Sequence, residues 1–274
     1  MFTPLTRDLA GLSDIAWILD LDGVVWLAEQ PIPGAARAIE RLDGLGEQLL
    51  FVTNFSALTK GQVEGKLKAC GIDAAGRVLT SAMAAASLVQ PNENVLVCAG
   101  SGVTEAVEHR GAIALDPSDG VDAHGDIDAV IVGFHPHFDF TRLAASTRAL
   151  HQGARLISTN NDPTYPTPDG LLPGNGSLTS ALATAGQVQP TIAGKPNRAI
   201  ADLALERLET QRGTKGNLVV GDLPATDGLL AVELGFEFGL VLSGVTGAEE
   251  AATCDPSPYI VADDLQALVG EVFP

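Results

Sequence analysis

The stretch IAWILDLDGVVW, residues 15–26, decides the fold of this chain. It begins with five apolar residues and passes directly into Asp20, Asp22 and Gly23. A short apolar run bounded by turn residues predicts a buried strand. Carboxylates that directly follow such a strand are expected at the carboxyl edge of a parallel sheet, which is where ligands bind.

The DxDG pattern by itself leaves structural explanations open. It is common in turns, and it also resembles half of a calcium-binding loop. The chain lacks the remaining ligands of an EF-hand loop, and an apolar strand precedes the motif where a helix would be required. The function of Asp20 and Asp22 therefore depends on what the other strand ends supply.

The rest of the chain alternates apolar runs typical of strands with amphipathic stretches typical of helices. The predicted strands are IAWILD, QLLFVT, NVLVCAG, DAVIVGF, RLIST, PTIAG, NLVVGD, FGLVLS and YIVAD. The predicted helices include GAARAIERLDGLG, TKGQVEGKLKACG, DFTRLAASTRALHQG and NRAIADLALERLETQ. This alternation predicts an α/β fold with parallel sheets joined by right-handed crossovers.

So many strands exceed one compact sheet of ordinary size, so we expect two α/β units. No Gly/Ser-rich linker separates them end to end, which indicates that one unit is inserted in the other. The predicted division is a core domain formed by residues 1–80 and 188–274, with an inserted domain at 81–187.

The composition argues against several classes of partner. A net charge of −18 on 274 residues repels nucleic-acid backbones. No apolar run approaches the roughly 18 residues of a membrane helix, and the first residues do not resemble a signal peptide. The three cysteines, Cys70, Cys98 and Cys254, show neither disulfide nor zinc spacing. We therefore expect a soluble, cytoplasmic protein with reduced thiols and no nucleic-acid or membrane partner.

Polar residues lie at the ends of three further predicted strands. Thr53 and Asn54 end QLLFVT, Lys195 follows PTIAG, and Asp222 and Asp227 follow NLVVG. If these strands are neighbours in one parallel sheet, their carboxyl ends converge with that of the first strand. Carboxylates, a lysine, and small hydroxyl and amide donors form a set that fits Mg²⁺-assisted phosphoryl transfer.

The two carboxylates of the first motif suit different roles. Asp20, fixed at the strand end, is the predicted nucleophile that forms an aspartyl-phosphate. A turn at Gly23 would bring Asp22 beside the leaving oxygen, where it acts first as general acid and then as general base.

The remaining residues suit metal and phosphate binding. Mg²⁺ prefers oxygen ligands, and the predicted ligands are the Asp20 carboxylate, the Asp22 backbone carbonyl and Asp222. Asp227 is expected to hold a metal-bound water or the lysine. The predicted phosphate-binding groups are Thr53, Asn54 and Lys195, and the lysine also neutralises charge on the phosphate and the nucleophile.

Each of these later motifs also has a structural explanation. A Thr-Asn pair after a strand is usually a turn or a helix cap, and a Gly-Lys-Pro sequence is usually a loop. Asp222 or Thr226 could equally cap a helix. The order of the four motifs, each at a predicted strand end, favours one shared site.

Four motifs carry a resemblance to a known family, namely DLDGVVW, FVTNFSA, AGKPN and VVGDLPATDG. They resemble, in this order, the motifs of the haloacid dehalogenase superfamily of phosphatases, and most closely its NagD-like, p-nitrophenyl-phosphatase-type subfamily. The segments PIPGAARAIERL and LVLSGVTG are also similar, so the resemblance spans nearly the whole chain. It implies a Rossmann-like core with a large α/β cap domain between the second and third motifs.

The chain departs from the subfamily pattern at two places. Phe55 stands where a second Asn is usual, and Leu223-Pro224 stand where a polar or charged residue usually follows the aspartate of the fourth motif. Neither change removes a catalytic group, so they concern the choice of substrate more than the reaction.

The expected cap contains a segment that resembles the subfamily's substrate-facing loops. Thr159, Asn160 and Asp162 are predicted substrate contacts, with a Pro-Gly-x-Gly turn at residues 173–176 nearby. Asn and Asp on such a loop can bond sugar or polyol hydroxyls, although both are also ordinary turn residues. Asn161 replaces a usual proline. The resemblance also implies a homodimer formed through the cap.

Two other patterns suggest sites that we do not expect. Gly100 and Gly102 follow a strand as in a dinucleotide fingerprint, but Glu105 stands where the third glycine belongs. His135 and His137 have a possible metal spacing, yet no further ligand is obviously placed to complete a site, so a loop role or a specificity contact is favoured.

The predicted function is hydrolysis of a small phosphomonoester, such as a sugar, polyol or nucleotide phosphate, with Mg²⁺. A phosphotransferase or mutase of the same superfamily is one alternative, which the large cap disfavours. A binding or regulatory protein that keeps the fold without catalysis is another. The presence of Asp20, Asp22, Lys195 and Asp222 argues against it.

Overall fold

A computed structural model describes residues 15–28, 30–119, 125–167 and 170–274. Residues 1–14 of the predicted core and 120–124 of the predicted insert lie outside the described residues.

The described residues alternate strands and helices along the chain. The strands are β1 Ala16–Leu19, β2 Trp26–Leu27, β3 Gln30–Pro31, β4 Gln48–Thr53, β5 Val78–Thr80, β6 Asn94–Cys98, β7 Ile113–Leu115, β8 Ala129–Val132, β9 Arg155–Ser158, β10 Thr164–Thr167, β11 Gly170–Pro173, β12 Thr191–Ile192, β13 Leu218–Gly221, β14 Glu237–Val241 and β15 Ile260–Ala262. The helices are α1 Ala35–Leu45, α2 Lys60–Ala69, α3 Ser81–Ala86, α4 Ser101–His109, α5 Phe140–His151, α6 Asn175–Gly186, α7 Arg198–Arg207, α8 Leu229–Leu234, α9 Ala248–Ala251 and α10 Leu265–Val272. A short 3₁₀ turn covers Pro117–Asp119, and a π-helical turn covers Pro224–Gly228.

The chain divides into two compact units. Unit 1 comprises Met1–Thr53, Glu64–Leu79 and Ala201–Pro274, and unit 2 comprises Asn54–Val63 and Thr80–Ile200. Unit 2 is thus inserted in sequence between segments of unit 1. The domain boundaries expected from the sequence, 1–80, 81–187 and 188–274, stay a prediction.

Unit 1 is built around a six-stranded sheet with the strand order β15-β14-β13-β1-β4-β5. β1 pairs in parallel with β13 on one side and with β4 on the other. All four of its residues are buried, and the Trp17 and Leu19 side chains are fully so. The first strand is continuously apolar because a central parallel strand is covered on both faces.

Unit 2 contains a five-stranded parallel sheet with the order β12-β9-β8-β6-β7. Helices α5 and α6 pack on this sheet, where Leu150 and Leu182 join Leu96, Val130 and Leu156 in one apolar cluster. Strands β10 and β11 form a separate antiparallel hairpin. Unit 2 therefore has a core of its own.

The predicted α/β class with parallel sheets is confirmed, and each of the nine predicted strands overlaps a strand of the structure. Six short strands were not predicted, namely β2, β3, β5, β7, β10 and β11. They are two to four residues long, so a periodic apolar pattern hardly marks them, although the equally short β1 and β12 lie within predicted runs.

The cysteines are all free thiols in the structure. Cys98 is buried in β6, and this burial raises the pKa of its thiol to about 12. Cys70 and Cys254 are half-buried, and burial also raises the pKa of each. Raised pKa values keep the thiols protonated and unreactive at neutral pH.

Among the described residues, the longest helices are α5 and α6, with 12 residues each. No helix in this part of the chain has both the length and the apolar character needed to cross a membrane.

Candidate active site

Asp20 is the first residue after β1, at the carboxyl edge of the unit 1 sheet. Its backbone N–H donates to the carbonyl of Val220 on β13 at 2.9 Å. Its carboxylate Oδ1 accepts a hydrogen bond from the N–H of Leu21 at 2.7 Å. The neighbouring strand thus fixes the backbone of Asp20, and the next peptide orients its carboxylate.

The chain turns sharply after Asp20. Gly23 has a φ of +80°, in the left-handed region that a residue with a side chain rarely adopts. The carbonyl of Leu21 accepts hydrogen bonds from the N–H groups of the three residues 24–26, at 3.3, 2.9 and 3.2 Å. Asp22 lies at the outside of this turn and is exposed. The turn predicted at Gly23 is therefore present.

Three carboxylates of unit 1 come together beyond the strand ends. Oxygen atoms of Asp20, Asp222 and Asp227 all lie within 4.8 Å of one another. Asp222 is 5% exposed and Asp227 is fully buried. The π-helical turn after β13 brings Asp227 back toward Gly221, where it accepts a hydrogen bond from the N–H of Leu223 at 3.2 Å.

This group of carboxylates has the donor chemistry of a site for a hard divalent cation. Carboxylate oxygens are the ligands that Mg²⁺ and Ca²⁺ prefer. Three carboxylates this close repel one another in a half-buried setting, and a cation between them removes that repulsion. Among the residues that the structure describes, this is the one group of His, Cys, Asp and Glu side chains with metal-binding spacing.

The second and third motifs meet within unit 2. The Asn54 side chain accepts a hydrogen bond from the N–H of Lys195 at 2.8 Å and donates to the carbonyl of Lys195 at 3.2 Å. Lys195 itself is 3% exposed. The amide of Asn54 therefore fixes the backbone of a lysine that lies 141 residues later in the chain.

Further contacts hold the backbone of Asn54. Its carbonyl accepts hydrogen bonds from Ser81 Oγ at 2.6 Å and from Asn160 Nδ2 at 2.8 Å. Thr53, the residue before it, ends β4 and is 3% exposed. The loop that starts at the second motif is thus rigid on the unit 2 side.

Two family models match this chain. One, described as haloacid dehalogenase-like hydrolase, matches residues 17–113, and a second, described as HAD-hydrolase-like, matches residues 192–268. The acid sugar phosphatase of Staphylococcus saprophyticus is 33% identical over 261 residues, which cover 94% of this chain and 97% of that relative. The chain belongs to the haloacid dehalogenase-like hydrolase family.

Solved structures of this family share the fold. The p-nitrophenyl phosphatase from Archaeoglobus fulgidus matches with a TM-score of 0.84 and 27% identity, over 94% of this chain and 98% of that one. A glycerol phosphate phosphatase from Mycobacterium tuberculosis, solved with magnesium, matches with a TM-score of 0.82 and 32% identity. The match covers 93% of this chain and 77% of that one. The predicted NagD-like resemblance is confirmed, and the chain is a haloacid dehalogenase-type phosphatase.

In this phosphatase the predicted substrate contacts of the insert lie in a hydrogen-bond network. Thr159 is fully buried and donates to Ser56 Oγ at 3.1 Å, and Asn160, 5% exposed, bonds to Asn54. Asp162 is half-buried, and its Oδ2 lies 3.4 Å from Asn54 Nδ2. The structure therefore connects all three residues to the second motif, while their part in substrate binding stays a prediction.

The two departures from the subfamily pattern have structural partners. The ring of Phe55 packs against Phe134 in unit 2, with centroids 5.5 Å apart and a tilt of 42°. Leu223 supplies the N–H that holds Asp227, and Pro224 begins the π-helical turn. In this family member the second departure thus shapes the turn that positions a carboxylate.

The glycines of the apparent dinucleotide pattern serve packing in this phosphatase. A Cβ on Gly102 would lie 2.0 Å from the carbonyl oxygen of Leu58, and one on Gly100 would lie 2.7 Å from Ala57. The N–H of Gly102 donates to the carbonyl of Ala57 at 3.1 Å. The start of α4 needs glycine because another backbone segment touches it there.

The HxH sequence forms a loop contact. The N–H of His137 donates to His135 Nδ1 at 3.1 Å, and the two rings meet edge to face at 6.3 Å. Burial, and then the charge of Arg142, hold the pKa of His135 below its ordinary value. Both histidines lie in the loop between β8 and α5, and a loop role or a specificity contact for them stays a prediction.

Sequence reasoning missed several residues that hold the site groups in place. Asp222 Oδ2 accepts a hydrogen bond from the N–H of Val245 at 2.6 Å, and the Trp26 indole donates to Asp22 at 3.0 Å. Ser81, which holds Asn54, was not singled out either. The LVLSGVTG segment gave one signal, because its resemblance to the family includes Val245, whose N–H bonds to Asp222.

Proposed function

We propose that this enzyme is a Mg²⁺-dependent phosphomonoester hydrolase that works through an aspartyl-phosphate on Asp20. The observation that carries the proposal is the group formed by Asp20, Asp222 and Asp227, whose oxygens lie within 4.8 Å of one another. A nucleophilic carboxylate beside a cation-binding group is the arrangement that phosphoryl transfer requires. The exposed Asp22, two residues further along, supplies the acid and base.

In the first step a carboxylate oxygen of Asp20 attacks phosphorus, and the bond between phosphorus and the leaving oxygen breaks. Asp22 gives its proton to that oxygen, so the alcohol leaves neutral and the phosphoryl group stays on Asp20. In the second step Asp22, now a carboxylate, takes a proton from water as the water attacks phosphorus. The bond to Asp20 breaks, and inorganic phosphate leaves with both aspartates restored.

The proposed metal ligands are the carboxylates of Asp20 and Asp222 and the backbone carbonyl of Asp22. The position of Asp227 inside the same group supports a place for it beside the metal. When bound, Mg²⁺ supplies positive charge that offsets the negative charge of the phosphate and the carboxylates. Magnesium and calcium in crystals of the related glycerol phosphate phosphatase support this choice of cation.

The proposed phosphate-binding groups are Thr53, Asn54 and Lys195. In this proposal Lys195 neutralises negative charge on the transferred phosphoryl group. Loss of such a cation costs several kcal/mol of transition-state stabilisation. The double hydrogen bond between the Asn54 amide and the Lys195 backbone supports a joint role, because moving either residue moves the other.

The proposed substrate is a small phosphorylated metabolite, such as a sugar, polyol or nucleotide phosphate. The names of the related acid sugar phosphatase and glycerol phosphate phosphatase support the first two. Burial of Thr159 and Asn160 supports an indirect part for these residues, through Ser56 and Asn54. Asp162 keeps exposed surface and remains our proposed direct contact from the insert.

The test begins with purified protein, p-nitrophenyl phosphate and Mg²⁺. We expect turnover that a chelator abolishes and Mg²⁺ restores, and Asp20→Asn should remove it, because an amide cannot attack phosphorus. Asp263→Asn is the matched control, since Asp263 also follows a strand of the same sheet but is exposed and outside the carboxylate group. It should leave turnover unchanged.

Two results would contradict the proposal. One is a wild-type protein that hydrolyses no member of a broad phosphomonoester panel with Mg²⁺, Mn²⁺ or Co²⁺. The other is an Asp20→Asn variant that retains wild-type turnover. The covalent step is checked separately by mass spectrometry of acid-quenched enzyme, in which the phosphoryl group should be found on the peptide that contains Asp20.

A further inference from the structure

The indole of Trp26 lies beside the acid/base carboxylate of unit 1, and the chemistry proposed above gives it no role. Trp26 is only 4% exposed, yet its Nε1–H donates to Oδ1 of the exposed Asp22 at 3.0 Å. The bond joins a buried ring to the Asp22 side chain and restricts the rotamers that this side chain can adopt.

The backbone fixes the ring relative to the carboxylate. The N–H of Gly23 donates to the carbonyl of Trp26 at 2.7 Å, and the N–H of Trp26 donates to the carbonyl of Leu21 at 3.2 Å. Asp22 therefore belongs to a tightly closed turn that ends at Trp26, with its side chain on the exposed outer side. A hydrogen bond across such a turn sets one orientation of the Asp22 side chain.

A cation on α2 covers the same ring. Lys66 Nζ lies 4.6 Å from the centroid of the Trp26 indole, within the range of a cation–π interaction. Attraction between the ammonium and the ring face holds the indole in its plane. The positive charge also draws electron density from the ring, which strengthens the Nε1–H as a donor.

The chemistry of the indole assigns the proton of Asp22 to one oxygen. An indole N–H is a donor only, so the oxygen that it contacts must accept. The carbonyl oxygen of a protonated acid is a better acceptor than its hydroxyl oxygen, so the bond from the indole to Oδ1 favours Oδ2 as the oxygen that exchanges the proton. In the carboxylate the same bond persists, so Trp26 holds Asp22 in both halves of the cycle.

We propose that Trp26 is a positioning residue for general acid/base catalysis, which holds Asp22 by Oδ1 and presents Oδ2 to the leaving oxygen, with Lys66 holding the ring. This inference rests on the proposed function, because it presupposes that Asp22 protonates the leaving group.

The leaving group of the substrate provides the test. An alkoxide needs a proton in order to leave, whereas p-nitrophenolate leaves readily without one. Trp26→Phe should lower kcat/KM for glycerol 3-phosphate by about 10-fold or more, as expected for a misplaced general acid. For p-nitrophenyl phosphate the loss should stay below about 3-fold, since proton transfer contributes little there.

Trp17→Phe is the matched control. Trp17 is the other tryptophan of the chain, lies fully buried in β1 of the same unit, and has an Nε1 without a hydrogen-bond partner. The same loss of volume there should change kcat/KM for both substrates by the same factor. Lys66→Met roughly keeps the length of the side chain and removes its charge. It should shift the ratio of the kcat/KM values for the two substrates in the same direction as Trp26→Phe.

A spectroscopic measurement follows the hydrogen bond without activity. The two tryptophans should give two indole N–H peaks in a ¹H–¹⁵N spectrum, and Trp17→Phe assigns them. Asp22→Ala should move the Trp26 proton upfield and leave the Trp17 peak in place, because only the first loses an acceptor. If Trp26→Phe fails to fold, benzothienylalanine at position 26 removes the N–H and keeps the ring size.

The outcomes separate the two proposals. A wild-type enzyme that hydrolyses no ester of the broad phosphomonoester panel contradicts the proposed function itself. An active wild type whose ratio of glycerol 3-phosphate to p-nitrophenyl phosphate turnover is unchanged by Trp26→Phe overturns this inference alone. A Trp26 indole N–H peak that keeps its position in the Asp22→Ala variant would overturn this inference as well. A selective loss on the alkyl ester, together with the peak shift, supports the positioning role.

Discussion

The carboxylate of Asp222 lies against the backbone of two different loops. Its Oδ2 accepts a hydrogen bond from the N–H of Val245 at 2.6 Å. Gly23 and Gly244, in two different loops, lie close to the same carboxylate. A Cβ on Gly23 would lie 2.4 Å from the carboxylate, and one on Gly244 would lie 1.9 Å from Oδ2. Glycine is required at both positions because any side chain would displace a proposed metal ligand.

Gly244→Ala should therefore weaken the metal site without unfolding the protein. The backbone of Gly244 is outside the left-handed region, and the atoms that a Cβ would strike belong to the end of the Asp222 side chain, which can rotate away. We expect the Mg²⁺ concentration for half-maximal turnover of p-nitrophenyl phosphate to rise about 10-fold, as for other changes in the groups that orient metal ligands.

Gly247→Ala is the control for this prediction. Gly247 lies three residues further along the same loop, and a Cβ on it would meet nothing within 4 Å. Its Mg²⁺ dependence should match the wild type. An unchanged Mg²⁺ dependence in folded Gly244→Ala, with folding checked by circular dichroism, would contradict the arrangement described for Asp222.

At the scale of secondary-structure elements, the start of α6 is joined to the end of β9 by buried polar groups. Asn175, the first residue of α6, donates from Nδ2 to Ser158 Oγ at 2.9 Å and to the carbonyl of Asn160 at 2.8 Å. Ser158 also bonds to Thr179 one turn into the helix, at 2.7 Å. The helix therefore sets the position of residues 158–160, which in turn contact the second motif.

Asn175→Ala should lower the free energy of unfolding by about 2–3 kcal/mol, because it leaves buried acceptors without their donor. Urea unfolding followed by circular dichroism measures the change. Ser180→Ala, which removes an exposed hydroxyl that bonds only within α6, should shift the midpoint little. Equal stability of the Asn175→Ala variant and the wild type would show that the network contributes nothing.

At the scale of the whole molecule, unit 2 carries an exposed apolar hairpin. Leu171 and Leu172 of β11 are 70% and 52% exposed. Successive residues of a strand point to opposite faces, so these two leucines leave apolar surface on both sides of the hairpin. The family resemblance implies that such chains pair through the inserted domain, so we propose a second copy of this chain as the occupant.

The protein should therefore elute at twice its chain mass of 28.3 kDa in size-exclusion chromatography with light scattering. Replacing Leu171 and Leu172 together with Asp should give a monomer that still hydrolyses p-nitrophenyl phosphate, since charge repels the partner surface. Val232→Asp, at an exposed apolar position of α8 in unit 1, is the control and should stay dimeric. A monomeric wild type, or a double variant that remains dimeric, would contradict the proposal.

The sequence predicted nine of the fifteen described strands because continuous apolar runs with β-branched residues are a local property of the chain. It also indicated the groups at the strand ends, since the carboxyl edge of a parallel sheet is where such groups collect. It could not predict short elements such as β2 and β5, which are formed by pairing with neighbours rather than by their own pattern. Nor could it show that Thr159 and Asn160 are buried.

By itself, then, the sequence determined the α/β class, nine of the fifteen described strands in their order, and the family motifs that contain Asp20, Asp22 and Lys195. Only the tertiary structure decided that Asp227 lies in the same carboxylate group as Asp20. It also decided that Gly244 lies close to the Asp222 carboxylate and that the Trp26 indole donates a hydrogen bond to Asp22. An apolar pattern is a property of consecutive residues and can be recognised in the sequence. The distance between two carboxylates depends instead on crossovers that bring together segments about 200 residues apart.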